Sequence, residues 1–255
     1  MMYREAQAVY VLWLRQIKRF LRAPSRIIGF IVQPLFLLLV LGLGLGGAIF
    51  PGLTTGYLNF LAPGVIAMAV LLSSIFTGVS VLWDRQFGFL QEVLVAPVSR
   101  FSIILGRTLG GATMALVQGF VILGISLVIG VTITSVSGLA LTVLIMVLLS
   151  FTAVGFGLII ASLLRDFEGF QVLMNLILTP LFFLSTAFFP IGSSFPAWLR
   201  TVVLLNPLVY MVDGLRGSLT QANMLFSPWL DLAAIAVMCV IVMVLGSFLF
   251  SRSEA

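Results

Sequence analysis

The ionisable side chains that could do chemistry are few and scattered. Asp84-Arg85 and Glu92 share one polar segment, Arg165-Asp166 and Glu168 another, Asp213 and Arg216 stand three residues apart, and Asp231 follows Ser227-Pro228. Catalysis needs a nucleophile with a base, convergent carboxylates or a set of metal ligands, and these groups show no such convergence. The chain has no histidine, and its one cysteine, Cys239, lies in an apolar run. Imidazole catalysis, thiolate zinc sites and disulfides therefore lack ligands. The only lysine, Lys18, is not in a glycine-rich loop ending in Lys-Ser/Thr, so the chain is not its own P-loop ATPase. The expectation is a protein with no enzymatic chemistry, metal or cofactor of its own.

The elements that must position these groups are membrane spans. Of 255 residues, 61% are hydrophobic and 8% charged, against about 25% charged in soluble domains. The 13 basic and 8 acidic side chains are too thinly spread for a nucleic-acid surface. Residues 27–83 and 108–164 are charge-free runs of 57 residues each. As one helix, each would be about 85 Å long, nearly three hydrocarbon thicknesses, so each must be a two-span hairpin. Turn-forming residues break the first between Phe50-Pro51-Gly52 and Gly56 and the second between Thr132 and Gly138. Helices follow at about 27–49, 59–82, 103–131 and 138–163, with further spans at about 171–190 and 229–250. No segment alternates as a β-barrel strand does. The spacing predicts an all-α integral membrane protein with six transmembrane helices.

Eleven basic residues (Arg4, Arg15, Lys18, Arg19, Arg22, Arg26, Arg85, Arg100, Arg107, Arg165 and Arg252) fall on one side and two, Arg200 and Arg216, on the other. The positive-inside rule then puts both termini in the cytoplasm. A cleaved signal peptide fits poorly, because the apolar run exceeds an h-region. Residues 4–22 wind into an amphipathic helix, with Arg4, Arg15, Lys18, Arg19 and Arg22 on one arc and Ala6, Tyr10, Trp13, Ile17, Phe20 and Leu21 opposite. Val11 and Leu12 interrupt the pattern, and Pro24 should end the helix. Residues 1–26 thus form a cytoplasmic amphipathic unit and 27–255 the six-span domain.

In the loop from Trp83 to Arg107, Phe89, Leu90, Val93 and Leu94 form an apolar strip too short to span. Headgroups or a soluble partner must cover it, and Arg107 can snorkel to the same surface. Beyond span 5, Pro196 and Asn206-Pro207 open two short helices, the second running to about Gln221, which suggests a re-entrant pair lining an outer mouth. Asp213 and Arg216 have the spacing of an intrahelical ion pair. Asp231 complements the dipole at the start of span 6. Gly42/Gly46 and Gly106/Gly110 have the small-xxx-small spacing of close helix contacts, within one chain or at a dimer seam. The first four spans offer no ionisable coupling site.

The chain resembles the type-2 permeases of ATP-binding-cassette exporters, particularly the drug-resistance efflux branch, over nearly its full length. The likeness is carried by Asp84-Arg85, Gly88 and residues 92–100, and by Phe167-Glu168-Gly169-Phe170-Gln171. Pro180 to Pro190, Phe195 to Leu199, and Asn206-Pro207 through Tyr210 and Asp213 to Arg216 follow in the family's order. Thr186 stands where the family often has glycine. The resemblance implies a plasma-membrane half-transporter exporting an amphipathic drug, lipid or lipid-linked substrate. A second permease copy would complete the pathway, and a cytoplasmic ATPase subunit would hold ATP and magnesium. Residues 86–97 would be the coupling helix, with Asp84, Arg85, Gly88, Leu90, Glu92, Leu94, Pro97 and Arg100 at the ATPase contact. Pro190, Asn206, Pro207, Tyr210, Asp213 and Arg216 would form the outer gate, and spans 1, 2 and 5 the cargo wall. The alternative is a self-sufficient secondary transporter or channel not coupled to ATP.

Overall fold

The computed structural model describes residues 2–45, 56–88, 98–164, 166–191 and 196–253. All regular structure among them is helical: α1 (Met2–Leu21), α2 (Pro24–Leu37), α3 (Tyr57–Gln86), α4 (Arg100–Ile129), α5 (Val136–Leu163), α6 (Phe167–Phe183), α7 (Ala197–Leu205), α8 (Pro207–Leu219) and α9 (Pro228–Ser253). Pro24 opens α2 in the first turn, where its missing N–H costs nothing. Pro34 lies inside α2, and the helix then widens into π-helical turns over Leu38–Leu45. Serine side chains cap α4 and α5: Ser99 accepts from the Ser102 amide and Ser135 from the Gly138 amide.

Five helices, α2 (with its π-helical extension), α3, α4, α5 and α9, are long and apolar enough to cross a membrane alone. The shorter apolar helix α6 runs beside α3 from end to end. Its start meets the end of α3, where the Trp83 and Phe167 rings are 5.8 Å apart and Arg85 Nη1 donates to the Leu164 carbonyl at 3.3 Å. The segment after it meets the start of α3, where the Tyr57 hydroxyl donates to the Phe188 carbonyl at 2.8 Å. At 17 residues, α6 is about 25 Å long. It begins and ends earlier than the predicted 171–190 because Pro180 weakens its last turn and the chain folds inward from Leu184. The buried irregular backbone there stays hydrogen-bonded: Leu184 N–H donates to Pro180 O, Ser185 N–H to Phe182 O, and Ala187 N–H to Ser185 Oγ.

The centre of the bundle is α3, buried along most of its length, while the faces of α2 and α9 are largely uncovered by protein. Small residues allow the tight crossings. A Cβ on Gly78 would collide with the carbonyl of Gly157, so α3 and α5 touch backbone to backbone. A Cβ on Gly64 would lie 2.6 Å from the Ala187 carbonyl oxygen. Gly106 and Gly110 make a seam within the chain, occupied by Val9, Leu12 and Gln16 of α1. Gly42 packs on Leu58 and Leu61, and Gly46 lies outside the described residues.

Candidate functional site

At the basic end of the bundle one carboxylate gathers three helices. Asp84, in the last turn of α3, is buried and accepts a bidentate pair from Arg15 at 2.8 and 3.0 Å, with Arg19 at 3.2 Å. Arg107 of α4 reaches its other face at 3.0 Å, a charge contact whose N–H groups do not align for hydrogen bonding. This corrects the expectation that Arg107 snorkels outward: its side chain is 1% exposed and turned into the protein. A carboxylate in the wall of α3 offers more than the headgroup layer can, because the surroundings exclude water.

The same cluster changes the reading of α1. The helix forms as its pattern predicts, but the face against the bundle is the one carrying Leu12 and Gln16, both buried, rather than Tyr10 and Leu21, which stay exposed. Gln16 Nε2 donates to Ser80 Oγ at 2.9 Å and Trp13 Nε1 to Thr113 Oγ1 at 3.1 Å. At its start, the Glu5 carboxylate accepts from the Ser99 amide and hydroxyl at 3.0 and 2.8 Å. Hydrogen bonds from the Ser102 and Ser99 hydroxyls and the Ser99 amide hold that carboxyl below the usual glutamate range. Arginines placed on the polar arc, Arg15 and Arg19, are thus inward anchors.

Of the expected coupling residues, Asp84, Arg85, Gly88 and Arg100 are described, and Leu90, Glu92, Leu94 and Pro97 lie outside the described residues. Gly88 follows α3 with φ +74°, a left-handed conformation that glycine adopts without strain and that does not continue the helix. Arg100 is exposed at the start of α4. The anchors of α1, Asp84 by Arg15 and Arg19 and Ser99 by Glu5, lie on either side of residues 89–97.

At the opposite end, α7 and α8 meet at 82°. Asn206 makes the corner: its Oδ1 accepts from the Leu208 amide at 2.9 Å and its Nδ2 donates to the Leu181 carbonyl at 2.7 Å. Pro207 takes the first helical position, and the Tyr210 hydroxyl donates back to Leu204 at 3.0 Å. Asp213 and Arg216 do pair, at 3.7 Å, but that is their weakest contact. Asp213 accepts from the Leu225 and Phe226 amides at 2.8 to 2.9 Å. Arg216 donates to Phe60 at 3.2 Å and Thr186 at 2.8 Å, with its guanidinium 3.8 Å from the Phe60 ring centre. The intrahelical pair is therefore a tertiary clamp joining α8 to α3, the segment after α6 and the loop before α9. Pro190 is half-buried, and Asp231, buried in the first turn of α9, stands over Gly214. Thr186 has φ +61°, in the left-handed region that favours glycine, the residue the resemblance leads one to expect there.

Between these two ends lies a cavity of about 900 Å³ walled by α2, α3, α6 and the segment after α6. Seven phenylalanines line it, with Met68, Leu72 and Met174. Gln33 on α2 and Gln171, Asn175 and Thr179 on α6 are its main polar groups. Sequence reasoning named Gln171 only within the Phe167–Gln171 motif and gave none of the four a place in a cavity, although polar residues spaced by four in an apolar span were a usable signal. Phe30 and Phe76, 5.0 Å apart, separate this cavity from a polar pocket of about 40 Å³ beneath α1, lined by Gln16, Arg19 and Ser80.

A bundle with five helices long and apolar enough to cross a membrane, a bent helix pair at one end, a clamped surface helix at the other and a cavity between is that of a polytopic membrane protein. The family model described as ABC-2 type transporter matches residues 7–220, and the chain belongs to that family. It is 30% identical over 224 residues to "Putative transport permease ycf38" of Cyanophora paradoxa, covering 87% of this chain and 77% of that protein. It is 28% identical over 212 residues to "Inner membrane transport permease YadH" of Escherichia coli K12, covering 82% and 81%. A third relative, "Probable doxorubicin resistance ABC transporter permease protein DrrC" of Mycobacterium tuberculosis, is 26% identical over 249 residues, covering 91% and 85%. The chain is thus a membrane permease subunit of an ABC transporter, a non-catalytic component that works with an ABC ATPase subunit.

Proposed function

We propose that this permease is one half of an efflux exporter in the plasma membrane, with both termini cytoplasmic and a second copy of the chain completing the pathway. The cargo is an amphipathic drug, lipid or lipid-linked molecule, and ATP and magnesium are held by the ATPase subunit. The observation that carries the reading is the cavity between α2, α3 and α6, whose apolar walls and few polar groups suit an amphipathic guest. A relative named for doxorubicin resistance supports the drug-efflux branch. The exposed Gln33, Gln171 and Asn175 favour a second copy, since lipid tails offer no hydrogen-bond partners to an open polar face.

In this reading the ATPase engages Leu90, Glu92, Leu94 and Pro97, flanked by Asp84, Arg85, Gly88 and Arg100, and α1 carries the resulting motion to α3 and α4. At the far end, Pro190, Asn206, Pro207, Tyr210, Asp213 and Arg216 hold the bent helices as the outer gate. The test is purification of the tagged chain in mild detergent with identification of what remains bound. A soluble P-loop ATPase near one to one is expected, and Leu94→Asp should abolish its retention, because the new charge would have to be desolvated in the contact. Recovery of the chain alone, with cross-linking ruling out a weak complex and ion-driven flux in liposomes, would replace the ATP-driven reading with that of a secondary carrier.

A further inference from the structure

We propose that the cavity selects non-anionic amphipathic cargo bearing hydrogen-bonding groups, read by the carboxamides of Gln171 and Asn175 on α6 and Gln33 on α2, and that it excludes anionic headgroups. This rests on the reading of the cavity as the cargo site and narrows it.

Two features of the wall carry the inference. The first is the arrangement of polar groups. Gln171, Asn175 and Thr179 recur every four residues, so they form one stripe along α6 with successive groups about 6 Å apart. All three are exposed, as is Gln33 on the α2 side. A carboxamide both donates and accepts, so the stripe can pair with amides, carbonyls and hydroxyls alike. Around it, seven phenylalanines offer ring faces to a flat apolar body.

The second feature is where the charges went. Among the described residues that line the cavity none is ionisable. The cations turned into the bundle, buried or partly buried, are committed elsewhere. Arg15, Arg19 and Arg107 converge on Asp84, Arg19 being on the far side of the Phe30–Phe76 pair, and Arg216 is turned onto Phe60 and Thr186. A phosphate or carboxylate entering the cavity would lose its hydration and meet no counter-charge, a transfer that ionised groups resist strongly. An uncharged amide or hydroxyl loses far less and finds partners on α6.

The test uses the full permease with its co-purified ATPase in phosphatidylcholine nanodiscs, with empty nanodiscs correcting for partition into lipid. The probes are dansylglycinamide and dansylglycine, which differ by a carboxamide against a carboxylate. A tryptophan placed in the cavity wall by Leu72→Trp reports entry by energy transfer to the dansyl group. Expected is energy transfer above the parent protein with dansylglycinamide, and binding of that probe at least ten-fold tighter than dansylglycine. Gln171→Leu with Asn175→Leu should weaken dansylglycinamide about ten-fold, and Asn175→Arg should invert the preference. Absence of energy transfer would overturn the cavity reading and the inference with it. Energy transfer with equal affinities, or no effect of the double substitution, would overturn the selectivity inference alone.

Discussion

Arg107 of α4 and Asp84 of α3 meet at 3.0 Å with side-chain exposures of 1% and 2%, a charge contact set inside a helical bundle. Two such groups are stable there only together. Arg15 and Arg19 add partly exposed contacts, so the cluster binds α1 to the ends of the two helices that flank residues 89–97.

Removing the carboxylate should therefore cost far more than removing a peripheral arginine. Asp84→Ala leaves Arg107 buried without a counter-ion and should destabilise the protein by about 3–5 kcal/mol. Arg15→Ala, at a partly exposed position, should cost about 1 kcal/mol or less. Thermal unfolding in detergent compares them. Equal effects would mean that the buried pair is not the anchor.

The α3–α5 crossing should be intolerant of a single methyl. Gly78→Ala would drive a Cβ into the backbone of Gly157, and the overpacking should cost about 1–3 kcal/mol. Gly44→Ala, with nothing within 4 Å, is the control and should leave the melting temperature near that of the parent. A Gly78→Ala protein as stable as the control would argue against backbone contact.

Thr186 should be improvable. A β-branched residue at φ +61° is strained, and its buried hydroxyl has no hydrogen-bond partner among the described residues. Thr186→Gly should stabilise by about 1 kcal/mol, the relief of left-handed strain exceeding the entropy of the added freedom. The Arg216 contact uses the backbone carbonyl and should survive. A lower melting temperature for the glycine variant would contradict this.

Acid should loosen the start of α1. The Glu5 carboxyl titrates below its ordinary value in the folded protein, so it binds a proton less readily folded than unfolded. Its contribution is full above the ordinary glutamate value of about 4.3 and is lost as pH falls through the lowered folded value. Protection factors across α1, taken relative to the intrinsic exchange rate at each pH, should fall on acidification in the parent, whereas Glu5→Gln should be less protected at neutral pH and respond less to acid. Identical pH profiles would remove Glu5 from the docking.

Local features were readable in the chain where their physics is local. The lengths of the charge-free runs located α2 to α5, and Asn206-Pro207 marked the α7–α8 corner, because a side-chain cap and a fixed φ act within a few residues. Span 5 was displaced because hydropathy continues past Phe183 although the helix does not: Phe188 is as apolar as Phe182 but belongs to a folded-in segment. The buried face of α1 was misassigned for a different reason. A helical wheel sorts residues by their preference for water or lipid, and it cannot register that Arg15 and Arg19 face a carboxylate 69 and 65 residues away in sequence.

By itself the sequence determined that this chain lies in a membrane as a bundle of apolar helices, and that its chemistry would have to be borrowed. Those conclusions follow from the cost of placing charge and unpaired backbone in hydrocarbon, which each segment meets independently. Only the tertiary structure decided that Arg107 turns inward, that Asp213 and Arg216 clamp four segments, and that Gln33, Gln171 and Asn175 share a cavity with no described ionisable lining. Each depends on which helix stands opposite, and that is set by small residues such as Gly78 and Gly157 that let particular backbones approach.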